Sequence, residues 1–244
     1  MTTSGRTQPA SRRDGIYGWA ALGSALLVFA GFARTYFLKG LFGTPQLALL
    51  LHLHGIVVTA WFVLFVVQTR LVSMRRVDLH RRLGVFAAVV AALVVLVGGG
   101  VAVHASRRGF LSDPNSMRDI LGLAILSGFL LDFALFVGLA LYFRRRADFH
   151  KRLMLLGTCS ILAPAINRVP VPFIQAGDLW VTFGLLDLCA LLCIAYDAIR
   201  SGRLHPTFGW GGLFLLLTFP FCLFVAKSSA WIHFAKWILT SVNI

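Results

Sequence analysis

HLHGIVVTAWFVLFVVQTRLVSMRRVDLHRRLG, residues 52–84, decides the fold. Roughly its first two-thirds is apolar enough to cross a bilayer. Its polar residues are ordered: His54, Trp61 and Gln68 stand seven apart, and Arg75 continues the step. Seven residues is nearly two helical turns, so these side chains form one stripe. In lipid a polar stripe faces other helices or a cavity. The segment closes on Asp78-Leu79-His80-Arg81-Arg82-Leu83, and seventy residues later the pattern returns as Asp148-Phe149-His150-Lys151-Arg152-Leu153. The repeat reads either as two related helical hairpins or as two cytoplasmic helix starts with similar needs. Asp78 and Asp148 suit helix N-caps, and the cations beside them suit phospholipid headgroups.

Outward from this stretch the chain is equally apolar. It is 58% hydrophobic and 13% charged, with a mean hydropathy of +0.82 over 244 residues. A soluble domain does not bury that much apolar surface, so the composition indicates a polytopic membrane protein. All nine acidic residues are Asp. Without Glu, H-E-x-x-H zinc sites and Glu-based di-iron bundles are excluded. The net charge of +14 does not indicate nucleic acid, because the cations lie in short loops between apolar runs, the pattern that sets membrane orientation. Cys159, Cys189, Cys193 and Cys222 lie within apolar runs and read as packing residues, not as a disulfide framework. No Gly-rich phosphate loop is present, which argues against nucleotide hydrolysis.

In chain order, residues 1–16 form a basic tail. Spans are expected at about Tyr17–Leu38, Gln46–Ser73, Arg82–His104, Asp119–Phe143, Lys151–Val169, Asp178–Ile199 and Thr207–Val225. The first is too long for a signal-peptide core and reads as an uncleaved helix. Gly98-Gly99-Gly100 allows close helix contact, Asp113-Pro114-Asn115 marks a turn, and Pro220 marks a kink. Trp231, Phe234, Trp237 and Ile238 suit a short helix lying in the interface. The fold class is therefore an all-α, seven-helix transmembrane bundle over residues 17–227, with an interfacial C-terminal segment over 228–244. Fifteen Lys and Arg fall on one side of that arrangement and seven on the other, Arg34 set aside. The richer side is cytoplasmic, which puts the N-terminus inside and the C-terminus outside a bacterial inner membrane. Anionic headgroups on the cytoplasmic side are the expected partners.

Depth then sorts the polar residues. His54 is the first candidate, because a histidine within the apolar zone marks function. His52, two residues away, points to the other side of the helix. Asp132, Asn167, Arg168 and Asp187 form a second group. An unpaired ion at such depth costs roughly 2.5–3.5 kcal/mol, so Arg168 is expected to pair with Asp187, or failing that with Asp132. Together His54, Trp61, Asp132, Asn167, Arg168 and Asp187 would line an outward-facing pocket. His54, with His104 and His52, could ligate a metal. At the cytoplasmic end, His80 and His150 sit in first helical turns, with Met154 one turn beyond His150. That histidine–methionine spacing suits copper or haem iron, although one helix cannot supply both axial ligands.

H-L-H-G-x-x-x-T-A-W at 52–61, L-H-R-R-L-G at 79–84, and H-K-R-L-M followed by P-A-I-N-R within 150–168 resemble a group of uncharacterised bacterial multi-pass membrane proteins over roughly residues 45–170. The H-x-x-x-M element is also similar to a membrane family implicated in cytochrome oxidase assembly. That likeness implies a redox-accessory or assembly role beside respiratory-chain proteins, with haem b or copper as the cofactors to consider. Two other readings stand beside it. One is a bis-histidyl haem b electron-transfer protein, for which His54 and His104 differ in height by roughly 6–10 Å. The other is a transporter or sensor using Arg168 and the aspartates.

Overall fold

The computed structural model describes residues 15–113, 116–176 and 178–241. The tail through residue 14, Pro114-Asn115 of the turn signal and residues 242–244 lie outside them. All described elements are helical. Helix α1 (Gly15–Phe32) runs on through a π turn (Ala33–Phe37) and a 3₁₀ turn (Lys39–Leu41). Then come α2 (Leu49–Ser73), α3 (Val77–Phe110), α4 (Met117–Tyr142), α5 (Ala147–Ser160), α6 (Ala163–Ile166) and α7 (Pro172–Ala176). The chain closes with α8 (Leu179–Ser201), α9 (Pro206–Ala226) and α10 (Ser229–Ser241). Six stretches are long and apolar enough to cross a membrane: Gly15–Phe37, Leu49–Ser73, Val77–Phe110, Met117–Tyr142, Leu179–Ser201 and Pro206–Ala226. Hydrocarbon offers backbone groups no water, so such runs must satisfy their hydrogen bonds internally as helices.

The fifth expected span, read as unbroken over Lys151–Val169, is divided. It starts earlier, at Ala147, stops at Ser160, and resumes for one turn at Ala163–Ile166. Pro164 accounts for the break, since it has no N–H to return to the preceding turn. The Ser160 hydroxyl donates to the Gly157 carbonyl at 2.8 Å just before it. Asp78 and Asp148 are not N-caps either. Arg76 and Arg146 hold those positions without side-chain capping, because both helices begin one residue before the aspartate. The aspartates lie in the first turn, where their charge still favours the helix N-terminus. Arg75, at φ 59°, takes the left-handed turn from α2 to α3 and leaves the α2 stripe.

The core lies around α4 and α5. Trp61, Phe133, Phe136, Leu153, Leu156 and Leu215 are fully buried within it. Phe129, Phe183 and Phe219 stack in series across α4, α8 and α9, at 4.9 and 4.3 Å between centroids. Glycines permit the closest approaches. A Cβ on Gly31 would strike the Ala165 carbonyl, bringing α1 against α6, and one on Gly55 would strike the Tyr36 ring. Gly98 faces Leu130 of α4, with 3.2 Å to an added Cβ. Leu96, Leu192, Phe221 and Phe224 are exposed on the bundle exterior, as lipid-facing side chains are. Helix α10 is longer than its aromatic spacing suggested. It buries Ala235 and Leu239 against Ala102, Phe110, Ile120 and Leu123. Arg107 Nε donates to the Leu239 carbonyl at 3.1 Å, and Trp231 Nε1 to the Ile120 carbonyl at 3.2 Å.

Candidate functional site

Helix α2 turns its polar stripe inward. Trp61 is 2% exposed and Gln68 9%, while Val63 and Val67 between them face outward. His54 is partly buried, and its Nδ1 is shielded from solvent without a hydrogen-bond partner. Trp61 packs edge-on against Phe133 at 4.9 Å, leaving Nε1 unpartnered, and Gln68 Oε1 is likewise buried and unpartnered. His52 lies on the other side, its ring 6.0 Å from that of Tyr36, whose hydroxyl donates to the His52 carbonyl at 3.3 Å. The two histidines thus diverge, as their spacing of two requires. The Tyr36 ring fills the space left by Gly55.

The second group is divided among separate places. Asp132 accepts from Thr218 Oγ1 at 2.7 Å, tying α4 to α9. Asn167 accepts from Thr182 Oγ1 at 3.2 Å. Arg168 makes no ion pair with a carboxylate among the described residues. Its Nη1 donates to the Pro164 carbonyl at 2.9 Å, and its guanidinium lies over the Phe32 ring at 4.9 Å. The expected pair with Asp187 is therefore replaced by a local carbonyl and an aromatic face. The physical reason is the helix break, which leaves Arg168 in a turn at the end of α1, while Asp187 sits two turns into α8. Arg168 and Asn167 line a cavity of about 370 Å³ with Gly31, Arg34, Thr35, Phe42, Thr44 and Gln175. His54, Trp61, Asp132 and Asp187 are not among its walls. Of the single outward pocket read from the sequence, Asp132 is engaged in an α4–α9 hydrogen bond and Arg168 lines its own cavity, while His54 stays within electrostatic reach of Arg168.

The repeated motif does converge. His80 and His150, one from each hairpin, meet with ring centroids 6.3 Å apart and planes at 82°. His150 Nδ1 lies 2.8 Å from the Ala140 carbonyl. A carbonyl only accepts, so Nδ1 carries the proton and a neutral ring keeps its lone pair on Nε2. His80 Nδ1 is buried without a partner. Met154 stays one turn beyond His150, packed against the core, its carbonyl accepting from Thr158 Oγ1 at 2.8 Å.

Among the described residues no three His, Cys, Asp or Glu side chains gather as metal ligands. His52, His54 and His104 therefore do not assemble a site of that kind.

One buried network escaped the sequence reading. Arg152 donates through Nε and Nη2 to Asp197 Oδ2, at 2.9 and 2.6 Å, and through Nη1 to the Asp148 carbonyl at 2.9 Å. Tyr17 donates its hydroxyl to Asp197 Oδ1 at 3.0 Å. Three elements, α1, α5 and α8, are joined at one carboxylate, and Arg152 also lies over the Phe208 ring of α9 at 5.6 Å. No local spacing announces partners 45 and 180 residues apart. The available signal was a lone Asp four residues from the end of an apolar helix. No protein-family model, curated protein or solved structure matches the chain.

Proposed function

We propose that this chain is a seven-pass protein of the bacterial inner membrane, with its N-terminus inside, serving a redox-accessory or assembly role by binding a small neutral ligand along α2. The broken α5–α6 segment supports the seventh crossing. It is buried through most of its length, it begins beside the Arg144-Arg145-Arg146 cluster, and it ends against the far end of α1. The charge count supports the orientation, and the apolar-and-aromatic face of α10 supports its place at the outer interface.

One observation carries the binding role: the unpartnered atoms His54 Nδ1, Trp61 Nε1 and Gln68 Oε1 on a single inward stripe, with the His80 ring of α3 beside the Gln68 backbone. A buried polar atom left unpaired costs about 1–3 kcal/mol, so several on one stripe call for an occupant. The stripe holds an indole N–H donor, a carboxamide acceptor and an imidazole nitrogen, with Arg168 acting on it at the His54 end. Such a set matches a neutral, lipid-soluble molecule with carbonyl or hydroxyl edges. The redox character rests on the family resemblance. A second reading, conduction of protons or small solutes, draws on the length of the row, which runs about 21 Å from His54 to Gln68 at 1.5 Å per residue.

The test is the content of the detergent-purified protein. Organic extraction with mass spectrometry, a visible spectrum and metal analysis should find one bound small molecule that His54→Ala loses while the fold is retained. A wild-type protein that yields only bulk lipid removes the binding role and leaves conduction.

A further inference from the structure

At the opposite end of the bundle from Arg168, a cavity of about 330 Å³ opens where α5, α8 and α9 meet. Its walls carry four cations, Lys151, Arg152, Arg200 and Arg203, and two carboxylates, Asp148 and Asp197, together with Ser201 and His205. The carboxylates are already engaged. Asp197 is held by Arg152 and Tyr17, as described above. Asp148 Oδ2 lies 3.4 Å from His205 Nε2. His205 Nδ1 accepts from the Thr207 N–H at 3.2 Å, so the neutral ring carries its proton on Nε2 and donates it to Asp148. Slight burial raises the Asp148 carboxyl, but the hydrogen bond from His205, with backbone N–H donors, holds it below its ordinary range. It is therefore ionised at neutral pH, and the cationic character of the lining rests on Arg200 and Arg203.

The backbone turn that carries Arg203 is fixed. Gly202, at φ 71°, ends α8 in a left-handed turn that returns the chain over the helix end. Ser201 Oγ donates to the Arg203 carbonyl at 2.7 Å and pins that turn. Among the described residues no carboxylate lies within ion-pair distance of Arg200 or Arg203. The Lys151 ammonium lies 4.9 Å from the centroid of the Tyr17 ring, which fixes it on the α1 side. The floor is the buried Arg152–Asp197 pair, so the cations stand around a rigid base. The N-terminus of α9, a 21-residue helix, also opens here and adds partial positive charge.

We infer that this cavity binds a phosphate-bearing anion, held by Arg200 and Arg203 above the Arg152–Asp197 floor. Guanidinium groups match phosphate oxygens bidentately, and basic pockets between helices at the cytoplasmic face bind anionic headgroups. The same chemistry serves a phospholipid headgroup or a free phosphate. Anion binding here does not depend on the α2 stripe.

The experiment uses the full chain in nanodiscs of phosphatidylcholine alone, of phosphatidylcholine with phosphatidylglycerol, and of phosphatidylcholine with added inorganic phosphate. Thermal stability and native mass spectrometry are read for wild type, for Arg200→Ala/Arg203→Ala, and for Arg144→Ala/Arg145→Ala. The last pair removes the same charge from the same end outside the cavity. Stabilisation by phosphatidylglycerol, with a lipid retained by wild type and by the control, identifies a headgroup site. Stabilisation by inorganic phosphate in phosphatidylcholine identifies a free-phosphate site. In either arm the Arg200/Arg203 variant should bind roughly tenfold or more weakly, the loss expected for two charge-assisted contacts. Both residues are exposed, so the variant should stay folded. If neither anion separates wild type from the Arg200/Arg203 variant, or the control loses as much, the inference is overturned.

Discussion

Replacing Asp197 with Ala should be among the most damaging single changes in the chain. Asp197 is 8% exposed and accepts three hydrogen bonds, from Tyr17 at 3.0 Å and from Arg152 at 2.9 and 2.6 Å. Truncation leaves the Arg152 guanidinium, itself 6% exposed, without its counter-charge. Stranding one partner of a buried pair costs about 3–5 kcal/mol, far above the roughly 0–1 kcal/mol of an exposed pair. For a chain of this length each kcal/mol moves the melting temperature by roughly 2–4 °C, so a fall of about 6–20 °C is expected. The assay is the unfolding temperature of purified protein in one detergent, compared with Arg152→Met and with Arg152→Met/Asp197→Leu. Removing both charges leaves no stranded ion, so the double variant should be more stable than Asp197→Ala and recover at least half of the fall. A fall of less than about 2 °C for Asp197→Ala, the size of a surface pair, would refute the reasoning. So would a double variant whose loss is the sum of the two singles.

Three further outcomes follow from the same geometry. Reporter fusions at the C-terminus should be active only outside the cytoplasm; an internal C-terminus would mean that α5–α6 does not complete a crossing. Gly31→Ala, whose Cβ would meet the Ala165 carbonyl, should destabilise by about 1–3 kcal/mol, whereas Gly23→Ala, with nothing within 4 Å, should be neutral or slightly stabilising. Because the folded Asp148 carboxyl titrates below its ordinary value, its contribution is present above about pH 4 and is lost as the pH falls through the folded pKa. His205→Ala should flatten that acid limb, and an unchanged acid profile would show that the His205 hydrogen bond does not set it.

Much of the fold is written in local pattern. Apolar runs near 20 residues long and basic loops place most of the helices to within a few residues, α3 and the broken α5 apart, because hydrocarbon allows the backbone few alternatives. The inward stripe of α2 is also legible, since period alone puts His54, Trp61 and Gln68 on one face. What local pattern does not carry is partner choice. Arg168 needed stabilisation, but its actual partners, the Pro164 carbonyl and the Phe32 ring, follow from the break at Pro164 together with the packing of α6 on Gly31. Arg152 reads from the sequence as a headgroup residue beside Asp148, and nothing in its spacing links it to Asp197. Only the three-dimensional meeting of α1, α5 and α8 shows them as one buried pair. The His80–His150 contact lies between these cases: the repeat marks both residues, and the packing of the two hairpins joins them.

The most direct test of the α2 stripe is Gln68→Leu, read for stability and ligand content in the same preparation. Gln68 Oε1 is buried and unpartnered within the protein. If the stripe encloses a bound molecule, the variant should lose most of that molecule and melt no higher than wild type. If the interior is dry, replacing an unpaired carboxamide with an apolar group of similar size should raise the melting temperature and leave the extract unchanged. That second result would contradict the proposal that α2 holds a ligand.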